Sequence, residues 1–218
     1  MKLPDDLQSE QAFTALLAAL RMGKLRSSEF HTMPALAEAL GFPVAATREA
    51  IKRAEAQSLV EVLPKRGFVI MSTGPETTRA CMDMRAALEA EGVRRLLSAG
   101  RPALSHLRAT HEALLDEART HPGADLSRRA LATDLSLHDF MAGGLDNIFL
   151  RQAYEANRNR ITVIQNARAF LPDRVIPAME EHLAIIDAID SASAEASVIE
   201  IERHLRQTLR WWGISAVG

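Results

Sequence analysis

Two short amphipathic segments separated by Gly41-Phe42-Pro43, then two apolar runs around Pro64-Lys65-Arg66-Gly67, leave few folds open to residues 36–70. Leu36, Ala39 and Leu40 give the first segment an apolar helical face. Gly41 ends it, because glycine accepts the positive φ that helix C-termini often need. Pro43 can open the next helix, where its missing N–H costs nothing. Thr47, Ala50, Ile51 and Ala54 then recur at helical spacing and are expected in a core, while Arg48, Lys52 and Arg53 lie on other faces. Leu59–Leu63 and Phe68–Met71 read as strands, with Lys65 and Arg66 at the tip of the turn between them.

Helix, turn, helix and basic wing in that order predict a winged helix-turn-helix. Its second helix would enter the major groove of double-stranded DNA and its wing would reach phosphates. The candidate contact residues are Thr47, Arg48, Lys52 and Arg53 on the helix and Lys65, Arg66 and Gly67 in the wing. The competing reading is a small α+β piece that only packs.

The net charge of −2 argues against DNA until it is divided. Residues 1–73 carry four Lys and five Arg against two Asp and six Glu, a net +1. Within 41–70 there are five cations and three acids, a net +2 placed on the expected DNA-facing elements. Moderate affinity with a clear salt dependence is expected. With aromatics at only 5%, the core must come from Leu, Ala, Ile and Val, a composition that favours helices. Cys81 is the only cysteine, so no internal disulfide can form and a cytoplasmic location is expected. No apolar run approaches membrane length, so no membrane association is expected.

Along the chain, residues 1–10 are polar and expected to be loose. Gln11–Met22 reads as an amphipathic helix through Phe13, Leu16, Leu17 and Leu20. Residues 24–34 read as a connection, and His31 as a surface or loop histidine. The first domain would span 1–72, with Ser72–Glu76 as linker, and a second domain 77–218. The second shows no convincing strand and reads as an all-α bundle of six or seven helices. The segments are Thr77–Ser98, Ala103–Thr120, Asp125 or Leu126 to Met141, Ile148–Ala169, about Pro177 to Ile189, and Ala194–Trp212. Gly100-Arg101-Pro102, His121-Pro122-Gly123, Gly143-Gly144 and Leu171-Pro172-Asp173 punctuate them. The fold class is therefore mainly α with one small β wing.

Asp134 and His138 are four apart and share a helix face with Ala130, Leu137 and Met141, so they should point inward. His182 lies among Met179, Leu183, Ile186 and Ile189, and His204 with Ile201, Leu205 and Thr208. Three histidines and one carboxylate thus project from three helices toward one interior. Buried ionisable groups are costly unless paired or bound to a metal. Imidazole with carboxylate suits a divalent transition metal, zinc first, with nickel, manganese or iron(II) as alternatives. Taken singly, each of these residues reads as a satisfied core group or a cap. His106, His111 and His121 have no partner at useful spacing and read as structural.

These patterns carry a resemblance. Leu36…Leu40-Gly41, Arg48-Glu49-Ala50, Lys52-Arg53, Leu59-Val60 and Pro64-Lys65-Arg66-Gly67-Phe68-Val69-Ile70 resemble the DNA-binding domain of the GntR superfamily. The family's base-contacting arginine falls on Val44, which cannot hydrogen-bond a guanine edge, so its usual operator is not carried over. Residues 77–213 resemble the FadR-type, or FCD, effector domain. The carrying residues are Arg85 with Leu88-Glu89, Asp134 and His138, Gly144 with Asn147, Glu181-His182 with Ala188-Ile189, and His204. The resemblance implies that Asp134, His138, His182 and His204 hold a metal and that a small organic acid binds beside it. Arg85 would grip the effector carboxylate, a task that suits a guanidinium fork. On the residues alone, a surface cation or an i,i+4 partner for Glu89 is as good a reading. Arg158 and Arg160 could grip the carboxylate from the fourth of these helices but read more readily as solvated cations, and Trp211-Trp212 as a cap on the bundle or as packing on a neighbouring domain.

The expectation is a homodimeric, metabolite-responsive transcription regulator, with repression relieved by a carboxylate effector. The alternatives are a regulator whose metal is purely structural, and a metal-dependent enzyme. Against the enzyme, no general base or nucleophile motif stands near the ligand set.

Overall fold

The computed structural model describes residues 5–100, 102–123, 125–168 and 172–214. Among them are nine helices and one three-stranded sheet, a mainly α fold. The chain divides into two compact units, Met1–Cys81 with Glu155–Ala169, and Met82–Tyr154 with Phe170–Gly218.

In the first unit, α1 (Asp5–Arg21) packs on α3 (Val44–Ala56), with α2 (Met33–Leu40) against both. Ala12, Phe13, Leu16 and Leu20 of α1 are buried, as are Thr47, Ala50, Ile51 and Ala54 of α3. The Thr32 hydroxyl caps α2 by accepting from Ala35 N–H at 3.4 Å. Gly41 ends α2 at φ 73°, the left-handed conformation expected of it. The sheet is antiparallel in the order β1-β3-β2, from β1 (Phe30–His31), β2 (Val60–Leu63) and β3 (Gly67–Ile70). Gly67 sits at φ +151° against the His31 carbonyl, where any Cβ would collide. The wing therefore needs glycine at the point where β3 meets β1.

Three expectations change. The first helix begins at Asp5 rather than Gln11, because a polar, acidic stretch suits an exposed first turn as well as a loop. Residues 24–34 are not all connection: β1 lies there, two residues long and too short to show alternation. His31 is half-buried, stacked on Phe68 at 5.7 Å between ring centroids.

The second half of α7 (Ile148–Ala167) belongs to this first unit and meets it with polar side chains. Asn157 donates to Cys81 O at 2.8 Å and Arg160 Nε to Gln57 O at 2.7 Å. Asn166 donates to Leu20 O and Arg21 O, and Arg168 to Thr73 O at 3.1 Å. Arg160, read from sequence as a solvated cation, is instead committed to the C-cap of α3.

The second unit is helical: α4 (Pro75–Ala99, from Met82 onward), α5 (Ser105–Thr120), α6 (Leu126–Ala142), the start of α7, α8 (Pro172–Asp190) and α9 (Ala194–Trp211). Helix α4 starts at Pro75, so the expected linker keeps only residues 72–74. Helix α8 starts at Pro172, five residues before Pro177, which it accommodates internally. Leu171, Arg101 and Ala169, named above as breaks or as a helix end, lie outside the described residues. Val93, Leu137, Met141, Ile185, Ile186 and Ile201 belong to one apolar cluster, and Leu114, Leu115, Ala130, Val175 and Met179 to another.

Helices α4 and α6 touch through glycine. A Cβ on Gly92 would run into the Met141 carbonyl, and one on Gly144 into the Gly92 carbonyl. Both obstacles are backbone and cannot rotate away. Gly92→Ala is expected to destabilise the protein by about 1–3 kcal/mol, as overpacking of a close helix contact does. Urea unfolding checks this, and an unchanged midpoint would contradict the close approach.

Candidate functional site

The centre of the second unit holds a layer of buried polar side chains. Asp134 and His138 come from α6, His182 from α8 and His204 from α9, all buried. One potential donor atom from each lies within 4.8 Å of all the others. His182 Nε2 is 3.4 Å and His138 Nε2 3.7 Å from Asp134 Oδ1. The His182 and His204 rings are 4.6 Å apart, and each is 5.4 Å from or nearer to the His138 ring. The four residues singled out in the sequence are thus brought together.

Outer partners surround them. His204 Nδ1 donates to Glu181 Oε2 at 2.7 Å, and Arg174 clamps both Glu181 oxygens at 2.7 and 2.6 Å. His138 Nδ1 lies 3.0 Å from Glu89 Oε1, and Arg85 Nε lies 3.5 Å from the same oxygen. Arg85 is buried and paired with Glu89 at i,i+4, so it is not the surface cation that was one reading of its sequence and is the ion-pair partner that was another. His111, taken from sequence as merely structural, is fully buried on α5 with its ring 5.3 Å from that of His182. Its Nδ1–H donates to Leu107 O at 2.7 Å. Glu89, Glu181, Arg174 and His111 were not identified as site residues. Glu89 and Glu181 stand among the residues that carry the family resemblance, and each of the four lies three or four places from an apolar core residue on its own helix.

The electrostatics follow from this crowding. Burial pushes the His182 imidazolium well below its ordinary range, reinforced by His204. Burial also lowers His204, against the opposing effect of the hydrogen bond it donates to Glu181. For Asp134 burial works upward, but His138 and His182 outweigh it and hold the carboxyl well below the usual range. His138 is opposed by burial and Arg85 yet raised by Glu89 and Asp134. His182 and His204 are thereby held neutral beside an ionised Asp134, the state in which these side chains coordinate metals, while the two carboxylates favour a proton on His138 that a bound cation would displace.

The donor set fits a divalent transition metal on a second count. His204 Nε2, His138 Nε2 and both His182 nitrogens lack hydrogen-bond partners although buried. Orphaned lone pairs of this kind cost free energy unless something outside the protein meets them.

In the first unit, Arg48, Lys52, Lys65, Arg66 and Gly67 line one concavity of about 560 Å³ between α3 and the wing. The four cations are exposed, with Lys52 also 2.8 Å from Glu49. Lys65 takes a left-handed φ of 61° at the tip. Two expected members stand apart. Thr47 is fully buried, and its hydroxyl donates to Pro43 O at 3.1 Å, so its side chain belongs to the core and not to the groove. Arg53 turns toward α1, 2.6 Å from Glu10 and stacked 4.3 Å over the Phe13 ring. Val44, at the start of α3, is exposed. Among the described residues no helix is long and apolar enough to cross a membrane.

Comparisons with known proteins fit both halves. The FCD domain model matches residues 80–207. McbR/YncC of E. coli has the same fold, with a TM-score of 0.74 at 18% identity over 94% of this chain and 97% of that one. A GntR-type transcriptional regulator from Rhodococcus sp. RHA1, described as putative, matches at a TM-score of 0.73 and 17% identity, over 95% and 99%. No curated protein matches by sequence.

Arg53→Ala is expected to cost stability rather than groove charge, by about 0.5–1 kcal/mol for an exposed cation over an aromatic ring. Urea unfolding measures it, and a variant as stable as the parent would remove Arg53 from the α1–α3 contact.

Proposed function

This chain belongs to the FCD domain family and has the architecture of a GntR-type transcriptional regulator, and we propose that it is a DNA-binding repressor controlled by a small organic acid. Residues 1–72 read an operator as part of a homodimer, and residues 77–218 sense the effector, all in the cytoplasm. Asp134, His138, His182 and His204 hold a divalent transition metal, zinc foremost. When bound, the metal supplies Lewis-acidic positions to an effector carboxylate. The observation that carries the reading is the convergence of four buried donors whose imidazole lone pairs have no partner.

On this reading the chain's residues divide the work. Asp134 neutralises part of the cation's charge. Arg85, with Nε toward Glu89, presents the rest of its guanidinium to an anion. The surrounding apolar clusters keep water out and strengthen both attractions. The effector shifts DNA affinity only by its difference in affinity for the two states of the regulator. A second reading, a regulator with a structural metal and no effector, draws on the Arg85–Glu89 pair, which gives Arg85 a partner inside the protein.

Metal content by mass spectrometry, before and after chelation and with the thermal midpoint alongside, tests the centre. About one transition metal per chain is expected, with a lower midpoint on removal. His182→Ala should lower both, and full occupancy in that variant would mean His182 is not a ligand. Arg85→Ala that retains metal but no longer responds to carboxylates supports the sensor, whereas an unchanged response removes Arg85 from effector binding.

For DNA, an operator selected from a random duplex library serves as probe. Arg48→Ala and Lys52→Ala should each weaken binding, and each lost phosphate contact should flatten the salt dependence by about one unit. Unchanged affinity in both would contradict the placement of α3 in the groove.

A further inference from the structure

A histidine that ligates through one nitrogen carries its proton on the other, and that N–H needs an acceptor. Here His138 and His182 turn Nε2 toward Asp134, and His204 Nε2 is the buried nitrogen left without a partner. The Nδ1 atoms are therefore the outer ones. Two of them have carboxylates: Glu89 for His138 and Glu181 for His204, each backed by an arginine. The third, His182 Nδ1, is buried and has no hydrogen-bond partner.

The ring next to it outside the ligand set is His111 of α5, edge-on at 60° with centroids 5.3 Å apart. Donation from His111 Nδ1 to Leu107 O fixes the proton on that side of the ring. Its Nε2 is then a bare acceptor, fully buried and without a donor. Two neighbouring rings thus hold complementary orphans, an N–H on His182 and a lone pair on His111. With ring centroids 5.3 Å apart, two ring nitrogens turned toward each other would stand about 3 Å apart, within hydrogen-bond reach.

We propose that His111 is a positioning residue for the metal centre: its Nε2 accepts the Nδ1–H of His182 and so presents His182 Nε2 to the metal. The proposal rests on the metal reading above. It completes an outer ring in which every ligand histidine has an acceptor, two anionic and one neutral. The neutral one has a physical reason. Arg85 and Arg174 each offset one buried glutamate, and a third carboxylate at position 111 would have no comparable arginine among the described contacts.

The test uses the full chain, stripped of metal and titrated with cobalt(II), with affinity read by competition against a chromophoric chelator. His111→Phe keeps a ring and loses the acceptor, while His111→Gln keeps an acceptor. His111→Phe should weaken cobalt binding by about 10–100-fold, the usual effect of losing an outer partner, with the cobalt ligand-field bands unmoved. His111→Gln should recover most of the affinity. Equal affinity in His111→Phe and the parent overturns the proposal. Bands that shift in His111→Phe also overturn it, since they would make His111 a direct ligand. Should His111→Phe not fold, His111→Leu against His111→Gln gives the same comparison, with tighter binding expected for Gln. A parent that binds no cobalt fails at the metal reading itself, a result distinct from parent-like affinity in the variant.

Discussion

The backbone contact between α4 and α6 governs the rest of the second unit. Gly92 lies against the Met141 carbonyl and Gly144 against Gly92, so the two helices approach more closely than side chains would permit. One turn back along each helix stand Glu89 and His138, at i−3 from Gly92 and Met141. Helical periodicity places them on the same faces as the contact, which is how Glu89 reaches His138 Nδ1 at 3.0 Å. Arg85 follows one further turn along. A wider α4–α6 spacing would keep the Arg85–Glu89 pair, which lies within α4, but would take Glu89 away from the His138 imidazole and leave that buried nitrogen without its acceptor.

The polar layer is sandwiched. On α6, Ala130 belongs to one apolar cluster and Leu137 and Met141 to the other, with Asp134 and His138 between or beside them. On α8 the sequence Met179, His182, Ile185 repeats that order. Helix α5 brings His111 at the border of Leu114 and Leu115. Apolar packing on both sides excludes water, which makes every internal attraction stronger and every orphaned atom dearer. A layer so enclosed is stable only when its hydrogen-bonding and charge requirements close on themselves or on a bound cation. The unpartnered imidazole nitrogens show that the protein's own groups do not close the set.

The buried cluster of Asp134, His138, His182 and His204 was legible because each member announces itself on its own helix: a charged or imidazole side chain on an otherwise apolar stripe. Asp134 and His138 add the i,i+4 spacing that no separate tertiary information is needed to interpret. Glu89 was legible as the i,i+4 partner of Arg85 but not as a partner of His138, and the other outer residues were not legible, for the opposite reason. Glu181 precedes His182 and so points away from it on α8, and its partner is His204 on α9, 23 residues on. His111 meets His182 only because α5 packs on α8, which no periodicity within α5 reveals. The winged region was read well where glycine and proline punctuate it, and least well at β1, where two residues cannot display a period. Thr47 shows a different limit. Its spacing correctly placed it in the core, and naming it also as a DNA contact asked one side chain to face two ways.

Helix α3 is held at the end away from its exposed Val44. The last carbonyls of a helix lack intrahelical donors and carry the negative end of its dipole. At the C-cap of α3 the Gln57 carbonyl accepts from Arg160 of α7, and the Gln57 side chain accepts from Asn159 at 3.2 Å. At the end of α1, Leu20 and Arg21 are met by Asn166 in the same way. Amide and guanidinium donors on one helix thus meet acceptors at the ends of two others. Burial of Ala50, Ile51 and Ala54 fixes which face of α3 turns inward, but apolar contact is non-directional and tolerates sliding along the axis. The hydrogen bonds from α7 have direction, so they set the axial position of α3, and with it how far Arg48 and Lys52 project beside the wing.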